Sequence, residues 1–217
     1  MQPHIALAIK YYSTVFLLGL MLSSSNSLGQ KIPELANANK IFWYGLDFSV
    51  AKMIGSSGFR KPDVIANEYV HPKWNNLIFS QSSKFNINRM CGNKGIISYR
   101  DVVIERNENV TSYNLIIDSD YSISNGTLIN LIQEYPTAHE NSVGLVFVVE
   151  SFNKTKNRAF VWVVYFNRKT GAIINMNRYI GRPSGTTVLN YWANSIESII
   201  QQAKKDFKYL IPYTYPK

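Results

Sequence analysis

The sequence predicts an α+β domain with α/β-like layers: a central mixed or mainly antiparallel sheet that includes a three-stranded meander, with packed helices and a long C-terminal helix. Three observations predict it. Residues 143–152 and 160–166 are near-continuous apolar runs carrying β-branched residues, the mark of strands buried on both faces. The turn Arg168-Lys169-Thr170-Gly171 leads into a return strand over 173–180, which completes the meander. Leu189, Trp192, Ile196, Ile199, Ala203, Phe207 and Leu210 recur every three or four residues. That stripe must be buried, and Thr186 or Thr187 is placed to cap the helix that carries it.

The remaining elements follow in chain order. Lys10 precedes the apolar run Val15–Leu22, about eight residues and well short of the roughly 20 that cross a bilayer as a helix. Ser27 and Gly29 then supply small residues before a cleavage point, so residues 1–29 read as a signal peptide and the mature chain starts near Gln30. A flexible lead-in over 30–40 opens a single α/β-type domain over 41–210, and 211–217 form an extended tail. Phe42, Tyr44, Leu46, Phe48 and Val50 alternate with Trp43, Gly45, Asp47 and Ser49, which predicts a strand with Asp47 and Trp43 on one face. Pro62 suits a helix start, and Pro72 interrupts the pattern, so 62–83 reads as a broken helical region. A strand is expected over 96–105 and a short apolar piece over 113–117. A short helix follows with Asn125 and Thr127 as capping residues and Leu128, Leu131, Ile132 and Tyr135 on one face, stopped by Pro136.

Composition narrows the function classes. Of 217 residues, 46% are hydrophobic and only 17% charged, which excludes wholesale disorder. The chain carries +9, and loss of residues 1–29 removes one lysine. Such a balance favours anionic envelope surfaces or acidic proteins, while export argues against nucleic acid as a partner. Cys91 is the one cysteine, so no intrachain disulfide can form and the fold rests on its apolar core.

The segments WYGLDFSVAKMIG at 43–55, GLVFVVESFNKTKNRAFVWVVYFNRKTGAIINMNRYIG at 144–181 and NYWANSI at 190–196 resemble a group of secreted Bacteroidetes proteins of unknown function. A weaker likeness is to the periplasmic domains of the curli-secretion lipoprotein family and to the TolB-type amino-terminal domain. The weaker likeness implies an assembly or protein-interaction module of the envelope. The chain departs from the curli-secretion family in lacking a lipobox cysteine.

Candidate chemistry is sparse. Neither His71 nor His139 has another His or Cys at metal-ligand spacing; the Glu68/His71 pair is expected in a solvated turn before Pro72, and His139 in a polar loop beside Glu140. Asp118 and Asp120 flank Ser119 but lack the glycine and distal glutamate of a calcium loop. Asp101 and Glu105, four strand residues apart, are spaced too widely for a glycosidase pair. Asp47 and Glu150 stand out because each falls within an apolar strand, where a carboxylate must be paired, hydrogen-bonded or in contact with ligand. Gly181–Gly185 reads as a tight strand-to-helix connection, and Lys154, Lys156 and Arg158 as a basic loop.

The sequence thus favours an exported, non-catalytic binding or assembly module of the cell envelope. Asp47, Trp43 and Glu150 are its candidate ligand contacts, and no catalytic residue, metal or cofactor is assigned. An envelope protein or surface component is the expected partner, and no transmembrane segment is expected in the mature chain. A hydrolase or carbohydrate-binding protein with a site formed only in three dimensions is the alternative, and a structural homodimer a third.

Overall fold

The computed structural model describes residues 32–211. The expected signal peptide and all but the first residue of the expected tail lie outside them. Seven strands form one sheet: β1 (Lys40–Asp47), β2 (Lys52–Ile54), β3 (Gly95–Ser98), β4 (Ile116–Ile117), β5 (Val143–Asn153), β6 (Arg158–Asn167) and β7 (Ile173–Gly181). One edge of β5 carries β1 along residues 143–148 and β2 along 151–153, both parallel to it. β3 and β4 extend these two outward, again parallel. β1 and β2 therefore lie end to end, as do β3 and β4 beyond them. The opposite edge of β5 pairs antiparallel with β6, and β6 with β7.

This corrects the expected sheet, which was mixed or mainly antiparallel with a three-stranded meander. Five of the seven strands are joined by parallel pairings, and the sheet is mostly parallel. The apolar run 143–152 is the central strand, buried along its whole length, with parallel neighbours reached through helical crossovers. A run apolar on both faces marks burial but carries no information on strand direction.

The helices are α1 (Pro33–Asn37), α2 (Pro62–Val64), which continues through a π-helical stretch Ile65–Lys73 into α3 (Trp74–Ser80), then α4 (Ile87–Met90), α5 (Asp101–Glu108), α6 (Asn125–Gln133) and α7 (Val188–Leu210). The π stretch explains how helix persists across Pro72. Proline removes one N–H and crowds the carbonyl four residues back, whereas the wider π turn lets Trp74 N–H reach Tyr69 O, five residues back. The strand expected over 96–105 is also corrected: β3 ends at Ser98 and 101–108 is helical. Its β-branched run Val102-Val103-Ile104 reads as strand, but Val103 and Asn107, four apart, are the residues that α5 buries. Ser124 rather than Asn125 or Thr127 caps α6, its hydroxyl accepting from Thr127 N–H, and Thr187 caps α7.

The sheet separates two apolar clusters. On one face the helical segment 65–80, α4 and α7 cover Trp43, Leu46, Phe48, Phe147 and Phe152. Phe152 and Trp192 stack there with ring centroids 4.7 Å apart. On the other face Leu128, Leu131 and Ile132 of α6 and Val103 of α5 pack on Tyr44, Val146, Val148, Val164 and Phe166. α7 backs directly against the end of β7, because a Cβ on Gly181 would lie 2.3 Å from Ser195 O.

Candidate functional site

The alternation expected along β1 fails at one residue. Gly45 has φ +106°, in the left-handed region, and the pairing with β5 shifts register between Trp43 and Gly45. Before this bulge Trp43 packs in the α7-side cluster and Tyr44 in the α6-side cluster. After it Leu46 and Phe48 lie on the α7 side. Asp47 is consequently turned to the α6 side, with Tyr44, and away from Trp43.

There Asp47 is fully buried and satisfied. Its Oδ1 accepts from Ser49 N–H at 2.8 Å, and its Oδ2 accepts from Tyr135 OH at 2.6 Å and Arg106 Nε at 3.0 Å. Arg106 also reaches Glu134 at 3.1 Å and lies over the Tyr135 ring. Burial, and then the adjacent Asp47 carboxylate, hold the Tyr135 phenol well above its ordinary range, so it stays a proton donor. Glu150, equally buried, accepts from Trp162 Nε1 at 3.0 Å and Ile123 N–H at 3.3 Å. Arg178 clamps it from β7 with both Nε and Nη2. Both carboxylates are thus buried and paired with arginines that reach toward the surface. Trp43, 3% exposed, belongs to the core on the opposite face, packed edge-on against Phe147. The three expected ligand contacts therefore do not converge.

The other singled-out residues are also engaged structurally. His71 Nε2 lies 2.9 Å from Val110 O within the π stretch, and Glu68 pairs with Lys73. Asp118 accepts from Ser56 N–H, and Asp120 pairs with Lys156. Asp101 and Glu105 occupy helix α5. Trp74 and Trp192 are core, while Tyr191 donates to Asn157 Oδ1 and lies beneath Lys154. Among the described residues no three of His, Cys, Asp and Glu converge as metal ligands.

A cavity of about 660 Å³ opens at the end of the sheet where β1 and β5 begin, beside the turn that joins β6 to β7. Phe42, Ile97, Val143 and Ile174 are its large apolar lining residues, set among mostly polar ones, and Arg168, 8% exposed, lines it with them. The position of Arg168 follows from the turn. Its backbone N–H donates to Ser142 O and its carbonyl accepts from Ala138 N–H, which fixes the residue against the segment entering β5. Its Nε donates to Tyr44 OH at 2.9 Å and its Nη1 to Ser142 Oγ at 3.3 Å. The guanidinium lies 3.7 Å from the Phe42 ring centroid and 4.6 Å from that of Tyr99. Burial raises the Tyr44 phenol above its ordinary pKa, and the Arg168 contact draws it partly back.

Sequence reasoning missed this site. Arg168 reads as a turn residue, and its neighbours Phe42, Tyr99 and Ser142 come from segments distant along the chain. Comparison with known proteins finds no family model, no curated relative and no solved structure that matches this chain.

Proposed function

We propose that this chain is an exported, non-catalytic binding module of the cell envelope, and that its ligand occupies the cavity beside Arg168. The observation that carries this reading is the contrast between two kinds of buried charge. The buried carboxylates Asp47 and Glu150 are already paired with Arg106 and Arg178, and neither lines the cavity. Arg168 does line it. A volume of 660 Å³ falls in the range of small-molecule sites, which run from roughly 300 to 1,000 Å³, and the lining joins apolar side chains to a fixed guanidinium within a largely polar rim. The apolar run 15–22 and the small residues at 27 and 29 support export.

The test is a ligand screen on the purified protein by NMR, using a fragment set that contains acids, amines and neutral aromatics. Binding should shift the resonances of Phe42, Ile97, Ser142 and Ile174 together. If no fragment perturbs these residues, or if binders collect elsewhere on the surface, the reading fails.

A further inference from the structure

Building on that reading, we infer that the cavity selects a monocarboxylate with an apolar body, its carboxylate held by Arg168. Burying a guanidinium is costly unless an anion accompanies it. Arg106 and Arg178 each have a buried acid, at 3.0 and 2.5 Å. Arg168 is 8% exposed, more than nearly all of the core but still largely enclosed, yet no carboxylate among the described residues lies within ion-pair distance. Among the described residues, aromatic faces and two hydroxyls compensate it.

The donor inventory shows what is left over. Nε is used by Tyr44 and Nη1 by Ser142, while Nη2 has no partner among the described residues. Nη2 is not sealed in protein either, since Ser151 Oγ is the sole buried side-chain polar atom there without a hydrogen bond. An accessible cationic donor on a residue that lines a cavity is a place for an anion. The planar guanidinium, held in place by Phe42, loses little freedom on accepting one, and a carboxylate matches its geometry.

The rest of the lining decides which anion. Glu34 and Glu140 are exposed at the cavity, opposite in sign to Lys40, which is also exposed. These three are solvated and weak, and with Arg168 they leave the lining without net positive charge, so a second negative charge on a dianion or a phosphate finds no further cation there to offset it. Ile97, Val143 and Ile174 take the apolar body.

The experiment titrates the purified protein with benzoate and hexanoate, with their neutral isosteres benzamide and hexanamide, with benzylamine and with inorganic phosphate, following the Phe42, Ile97 and Ile174 resonances. At least one carboxylate should bind in the cavity with its amide at least tenfold weaker, and phosphate should not compete. Arg168→Gln should weaken that carboxylate at least tenfold while leaving the amide unchanged. The acid-to-amide comparison on the unmodified protein decides the matter even if this variant does not fold. Equal or tighter binding of the amides or the amine overturns the carboxylate assignment and leaves the cavity as a binding site. Phosphate binding in preference to the acids also overturns it. Silence from every compound removes both this inference and the reading beneath it.

Discussion

Asn75 pairs with Leu46 as a neighbouring strand would. Its Oδ1 accepts from Leu46 N–H at 2.8 Å and its Nδ2 donates to Leu46 O at 2.9 Å. β3 pairs β1 only as far as Trp43, so the outer edge of β1 beyond that point would be left bare inside the protein. Asn107 continues the edge, donating to Leu46 O and accepting from Phe48 N–H. Two side-chain amides, both fully buried, thus stand in for a missing strand.

Replacing Asn75 by alanine should therefore be expensive. Leu46 N–H would lose its acceptor in a buried position, whereas Leu46 O would keep Asn107. The expected loss is about 2–3 kcal/mol, read from urea unfolding. Asn75→Ala with Asn107→Ala should depart from additivity, because the two amides share the Leu46 carbonyl. Additive losses would show that the amides act independently and that the shared-edge description is wrong.

Gly45 permits this arrangement. Its φ of +106° is costly for any L side chain, and a Cβ there would lie 2.6 Å from Asn75 Oδ1 and 3.0 Å from Phe79. Gly45→Ala should cost about 2–4 kcal/mol through backbone strain and displacement of Asn75. A variant as stable as the parent would mean that the bulge can relax. Asp47 could then lose its place on the α6 side, which the Tyr135 ring resonances would report.

What could be read beforehand was whatever depends on side-chain periodicity. The stripe from Leu189 to Leu210 and the apolar runs at 143–152 and 160–166 correspond to α7, β5 and β6 because burial imposes spacing directly on sequence. Alternation places Asp47 beside Trp43, on the wrong face, because it counts residues, and a single left-handed glycine adds half a period without altering the count. The 101–108 helix was hidden because Val102-Val103-Ile104 has strand-like chemistry. Parallel pairing was hidden for a different reason: it depends on how long crossovers run, and no residue type marks it. Arg168 was invisible as a site because its surroundings are assembled from β1, β3 and the segment before β5, which only the folded sheet brings together.

The two buried ion pairs should respond unequally to neutralisation. Arg178 is bonded to Glu150 and has no second acid among the described residues, while Arg106 retains Glu134 when Asp47 is changed. Glu150→Gln should thus cost about 3 kcal/mol and Asp47→Asn about 2 kcal/mol, both measured by denaturant unfolding. Neither residue lines the cavity, so ligands that bind near Arg168 should keep their affinity for both variants. Loss of cavity binding in a stably folded Glu150→Gln protein would tie that carboxylate to the ligand site.

Stability should fall on the alkaline side, with Cys91 as a measurable contributor. Burial pushes its thiol up from 9.0 to about 12, against a smaller opposing pull from the Tyr165 hydrogen bond. The folded value lies above the unfolded one, so the contribution is complete below about pH 9, where both states hold the proton. Above that the unfolded chain releases its proton first, and stability declines until the folded thiol ionises near pH 12. Tyr135 and Tyr165, raised chiefly by burial, act in the same sense above their own ordinary value of 10.0. Lys94, lowered by burial, opposes them weakly from a more exposed position. Thermal unfolding followed by circular dichroism should thus give a midpoint that changes little between pH 7 and 9 and drops steadily beyond. Iodoacetamide at pH 8 should leave Cys91 unmodified in the native protein and alkylate it in urea, because the thiolate is the reactive form and the fold suppresses it. Equal labelling rates in the two states would show that the α4–α7 side of the core opens readily, and the assigned cause of the alkaline decline would fall with it.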